Sequence, residues 1–145
     1  MQGIITFSIV EENHTGPIGD DWKYWVEAKV YNEGLKGEAI ISVPEHTFPA
    51  DTIQNPPGPL QSIKIPAGDC GKPVKIKILA EATEVDIFKN DVGKKNIDLS
   101  LQCPSANDEP LIVEREIQIG VVETPNLSSK TSLFTIKVRF VLNCE

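Results

Sequence analysis

Two short stretches of this chain gather carboxylates closely enough to do chemistry. One is Gly16-Pro17-Ile18-Gly19-Asp20-Asp21-Trp22, and the other runs Glu81-Ala82-Thr83-Glu84-Val85-Asp86-Ile87-Phe88-Lys89-Asn90-Asp91-Val92-Gly93. Carboxylates side by side repel one another unless a cation or solvent relieves them. Calcium takes roughly six to eight oxygens from flexible loops, so Asp20, Asp21, Glu84, Asp86 and Asp91 are candidate metal ligands. A second group is cationic: Lys64, Lys75 and Lys77 at strand positions, and Lys72 at a turn. Ammonium groups sharing one sheet face would attract anions, or would keep that face wet. Ile87 and Phe88 stand inside the second acidic stretch, where they either insert beside lipid headgroups or pack inward.

The usual enzyme signatures are missing. There is no Gly-x-Ser-x-Gly elbow, Walker loop, His-Glu-x-x-His or dinucleotide-binding glycine fingerprint. The two histidines, His14 and His46, fall in predicted loops. A non-enzymatic binding role is therefore the expectation.

The elements that must carry these groups follow a period of two. Ile5, Phe7 and Ile9 alternate with polar residues, as do Tyr24, Val26, Ala28 and Val30. Further sets are Ala39-Ile41-Val43, Ile63-Ile65, Val74-Ile76-Ile78-Ala80 and Ile97-Leu99-Leu101-Cys103. Leu111, Val113, Ile117 and Ile119, then Phe134, Ile136, Val138, Phe140 and Leu142, complete eight. Eight half-buried strands separated by turn signals predict an all-β, eight-stranded antiparallel β-sandwich, one domain over residues 1–145. Asn32-Glu33-Gly34 predicts a hairpin turn, and Gly68-Asp69-Cys70-Gly71 predicts another. Asn55-Pro56-Pro57-Gly58-Pro59 cannot be a central strand, because prolines donate no ladder hydrogen bond. Trp22 and Tyr24 share one face of the second strand while Trp25 and Tyr31 share the other, so one aromatic pair is expected outside.

The chain has 21 acidic and 14 basic side chains, for a net charge of −7. That balance argues against broad nucleic-acid binding. No apolar run approaches the ~20 residues of a membrane-spanning helix, and the start lacks the features of a secretory signal. Cys70, Cys103 and Cys144 form no zinc spacing. Their odd count suits a reducing compartment, so a cytoplasmic location is expected. The sequons at Asn13 and Asn126 read as chance occurrences.

From Gly3 to Leu142 the sequence resembles the calcium-dependent lipid-binding modules called C2 domains. Gly3-Ile4-Ile5-Thr6-Phe7-Ser8-Ile9-Val10-Glu11 is similar to that family's first strand, and Asp20-Asp21 with Tyr24-Trp25-Val26 to the loop and strand that follow. Thr52-Ile53-Gln54-Asn55-Pro56 resembles a family turn with one residue fewer. Asp86-Ile87-Phe88-Lys89-Asn90-Asp91-Val92-Gly93 is the nearest match. The resemblance implies the circularly permuted (type II) strand order, with calcium loops between strands one and two and between five and six. It also implies anionic phospholipid as partner, met by those loops or by a lysine-rich face. Glu84-Val85-Asp86 stands where the family has an Asp-x-Asp pair, an early loop aspartate is missing, and Trp22 replaces a usual proline. Those departures leave a second expectation, a calcium-independent module or scaffold that binds another protein.

Overall fold

The computed structural model describes residues 1–123 and 130–145; the sequon at Asn126 lies outside them. Eight strands follow in chain order: β1 (Gln2–Thr15), β2 (Asp21–Tyr31), β3 (Leu35–Thr47), β4 (Ser62–Asp69), β5 (Pro73–Glu84), β6 (Asp91–Gln102), β7 (Leu111–Val122) and β8 (Thr131–Cys144). They form two four-stranded antiparallel sheets, ordered β4-β1-β8-β7 and β3-β2-β5-β6. The eight alternating segments of the sequence are these eight strands.

Alternation places the core. Ile5, Phe7 and Ile9 of β1 and Phe134, Ile136, Val138, Phe140 and Leu142 of β8 face Val26, Ala28 and Val30 of β2 and Ile76, Ile78 and Ala80 of β5, all buried. The Phe7 and Phe140 rings stack with centroids 5.2 Å apart. Burying each such side chain is worth ~2–3 kcal/mol. Trp22 and Tyr24 are inside, and Trp25 and Tyr31 lie half-buried on the outer face, as the pattern predicts. The β2–β3 turn sets Glu33 at φ 56° and Gly34 at φ 119°, conformations suited to a tight hairpin.

Two expectations are corrected. His14 and His46 lie within β1 and β3 rather than in loops. A register shift between Ile9 and Glu11 causes the first error. The bulge adds one residue, so parity reverses and Glu12 and His14 turn inward where simple alternation continues with Glu11. The second correction concerns the cysteines: Cys70 and Cys144 form a disulfide, Cα–Cα 5.7 Å, across 74 residues of chain. Gly3 pairs with both Gly68 and Cys144, so β1 brings the β4–β5 turn beside the end of β8. No sequence spacing reveals that meeting. With Cys103 alone free and buried, the odd count no longer argues for a reducing compartment.

Candidate functional site

The strand register assembles the acidic end. Trp22 pairs with Glu84, and Glu84 pairs with Asp91, so three strand ends stand in line. Asp21 precedes Trp22, and its carbonyl accepts the Val85 N–H at 2.8 Å. The β1–β2 connection (16–20) and the β5–β6 connection (85–90) therefore meet at one end of the sandwich. Gly19 packs so close that an added Cβ would overlap the Glu84 carboxylate.

Glu84 is the centre of this cluster. It is only 5% exposed, Asp91 beside it only 1%, and Glu84 Oε2 has no hydrogen-bond partner. Burial first, then the charges of Asp86, Asp91 and Asp21, and a hydrogen bond with the Asp91 carboxyl, push the Glu84 pKa up to about 7. Four of the five predicted ligands are thus connected through Glu84, on which Asp86, Asp91 and Asp21 all act. Asp20 is set apart: its carboxylate is exposed and lies 3.7 Å from His14 Nε2. Asp21 accepts a hydrogen bond from the Thr47 hydroxyl. Asp86 accepts the Ile87 N–H at 2.6 Å, while Asn90 Oδ1 accepts the Asp86 N–H at 3.1 Å, so the loop holds its own shape.

The donor chemistry is that of calcium, hard carboxylate oxygen. Among the described residues, however, no three His, Cys, Asp or Glu side chains converge into a group able to hold a metal ion. What the cluster offers as it stands is a set of repelling carboxylates, relieved in part by a proton on Glu84.

At the tip of the same loop, Ile87 is 90% and Phe88 95% exposed. They do not cap the core. Large apolar side chains this open, adjacent in sequence, mark a contact surface more often than an accident.

The lysines are not brought together. A shared patch requires β4 to pair with β5, but these strands belong to different sheets. Lys64 on edge strand β4 meets Glu145 at 3.9 Å, and Lys72 at the turn meets Glu33 and Asp69, each at 3.7 Å. Asp69 is held below the usual carboxylate range by the Gln2 amide and then by Lys72. Lys75 and Lys77 do share the outer face of β5. Lys75 lies 3.7 Å from Asp98, and Lys77 sits 5.3 Å from the centroid of the Tyr31 ring. Lys29 pairs across from Lys77 but is itself within 3.9 Å of Glu27 and Glu38. Carboxylates thus dilute this small basic face.

Sequence reading missed a polar cluster in the core. Glu12 is fully buried and accepts hydrogen bonds from Tyr24 Oη at 2.7 Å and Gln54 Nε2 at 2.8 Å. His46 Nε2 lies 2.6 Å from its Oε2. Burial, then the Glu12 charge and hydrogen bond, hold the Tyr24 hydroxyl far above the usual phenol range. All the polar groups here bond to one another, so the cluster reads as a clasp joining β1, β2, β3 and the connection after it. The one available signal was the polar run Glu11-Glu12-Asn13-His14 continuing an otherwise alternating strand.

No protein-family model matches this chain, and no curated protein matches it.

Proposed function

We propose that this chain is a non-enzymatic, C2-like binding module that docks on an anionic phospholipid surface through its acidic loop end. The observation that carries this reading is the exposure of Ile87 and Phe88 beside Asp21, Glu84, Asp86 and Asp91. An apolar tip gains free energy by leaving water, at ~25 cal/mol per Å² of apolar surface. The neighbouring carboxylates repel an anionic surface, so a counter-ion is needed between them. Calcium held by Asp21, Glu84, Asp86 and Asp91 would supply that charge and bridge to headgroup oxygens.

Co-sedimentation with vesicles of phosphatidylcholine and phosphatidylserine tests this directly. Pelleting is expected with calcium at ~1 mM, with loss on chelation and in an Ile87→Ser/Phe88→Ser variant. Pelleting that ignores both treatments but fails in Lys75→Glu/Lys77→Glu moves the docking face to β5 and overturns the loop-end reading. The absence of a formed ligand group among the described residues favours a second reading, a calcium-independent scaffold that binds protein. That reading gains if calcium fails to raise the melting temperature, since a ligand well above its Kd must stabilise the folded state.

A further inference from the structure

The three cysteines gather at the end of the sandwich opposite the acidic loops. Gly3 pairs with Cys144 across the β1–β8 ladder, in step with the inward-facing pair Ile5 and Leu142. A Cβ on Gly3 would stand 2.7 Å from Cys103 Sγ, so only glycine leaves room for that thiol. Paired Cβ positions lie ~4.5–5.5 Å apart, which puts Cys103 Sγ within roughly 8 Å of the Cys144 Cβ. The backbone on the Cys70 side is tied in as well. The Cys103 N–H donates to the Lys72 carbonyl at 3.0 Å, and the Gly71 N–H to the Pro104 carbonyl at 3.2 Å. A free, buried thiol thus lies beside the Cys70–Cys144 bond.

We infer that Cys103 displaces Cys70 from Cys144, which turns the β4–β5 turn into a site bearing a reactive thiol, able to form a mixed disulfide with a second thiol compound. In the exchange Cys103 gives its proton to solvent and its thiolate attacks Cys144 Sγ. The Cys103–Cys144 bond forms as the Cys70–Cys144 bond breaks, and the electron pair leaves on Cys70 Sγ, which takes up a proton. One disulfide and one thiol exist before and after, so no oxidant or reductant is consumed. The placement decides which sulfur leaves. Cys144 is held in β8, whereas Cys70 sits in a turn between Gly68 and Gly71, at φ 79° and 76°. Cys103 follows the last residue of β6, so its shift breaks no strand pair. Cys103 is 1% exposed and Cys70 only half-buried. The exchange therefore carries the chain's one thiol from the core to the surface.

The full chain is held below its melting temperature with N-ethylmaleimide, digested without reduction and mapped by mass spectrometry. Maleimide on Cys70 together with a Cys103–Cys144 cross-link is expected, accumulating over minutes to hours. Cys103→Ala should take up no maleimide. The inference is overturned if the native chain stays unlabelled, or if maleimide sits on Cys103 with the Cys70–Cys144 bond intact. Label on Cys70 in Cys103→Ala would place the attacking thiol outside the chain and overturn it too. So would labelling that rises with urea in step with global unfolding, since the sulfurs would then exchange only in the unfolded chain.

Discussion

Glu84 carries a proton that most glutamates release, and this makes a measurable demand on stability. Its pKa rises from 4.5 to about 7 on folding. Between those values the folded chain keeps a proton that the unfolded chain gives up, so stability falls as pH rises through that window and levels off above about 7. A shift of this size at a loop end, discounted for nearby water, corresponds to about 1–2 kcal/mol. Glu84→Gln, which stays neutral, should therefore stabilise the protein by about that amount at about pH 8 and flatten the pH dependence. Urea melts of both proteins from about pH 5 to 8 read this out; a Gln variant weaker than the parent at every pH would refute it. The cluster was legible in the sequence as two acidic stretches, which the resemblance to C2 domains paired as two calcium loops; the strand register is what brings them to one end. The separation of Asp20 was not, since it depends on which way one exposed side chain turns toward His14.

At the scale of the strands, the bulge in β1 decides what the core contains. By reversing parity after Ile9 it buries Glu12, and the carboxylate then gathers Tyr24, His46 and Gln54 from three other segments. Removing an acceptor that serves several buried donors is far worse than removing one donor. Glu12→Ala should cost about 3–5 kcal/mol, because it strands its partners in a dry site. Tyr24→Phe should cost only about 1–2 kcal/mol, since Glu12 keeps two other donors. Denaturant melts of the two variants compare the costs, and equal losses would show that Glu12 acts through packing alone. Inward Ile, Val and Phe residues revealed the strands because period-two burial is a local property. Neither the bulge nor the placement of β4 and β5 in separate sheets is local. The four lysines share no single sheet face for that reason: Lys64 and Lys75 are close in sequence order but sit on strands that never pair.

Across the whole molecule, the two ends of the sandwich carry different chemical groups. β1 runs from Gln2, beside Asp69, to Thr15, next to the acidic loops, a length of roughly 40 Å at about 3.3 Å per residue. The carboxylates and the exposed Ile87–Phe88 tip occupy the far end, while the near end holds the Cys70–Cys144 bond and buried Cys103. The bond joins positions 74 apart in sequence and closes a loop that includes β5, β6, β7 and β8. Cross-linking so long a loop restricts the unfolded chain, an effect of about 2–4 kcal/mol. Reduction, or a Cys70→Ser/Cys144→Ser variant, should therefore lower the melting temperature by about 5–15 °C for a chain of this size. The vesicle binding proposed for the opposite end should persist below the new melting point, because β2, β5 and β6, whose ends carry Asp21, Glu84 and Asp91, pair without help from the disulfide. Melting curves with and without reductant, followed by co-sedimentation of the reduced protein, separate the two effects. Loss of vesicle binding on reduction, at a temperature where the chain stays folded, would show that the ends are coupled through the core.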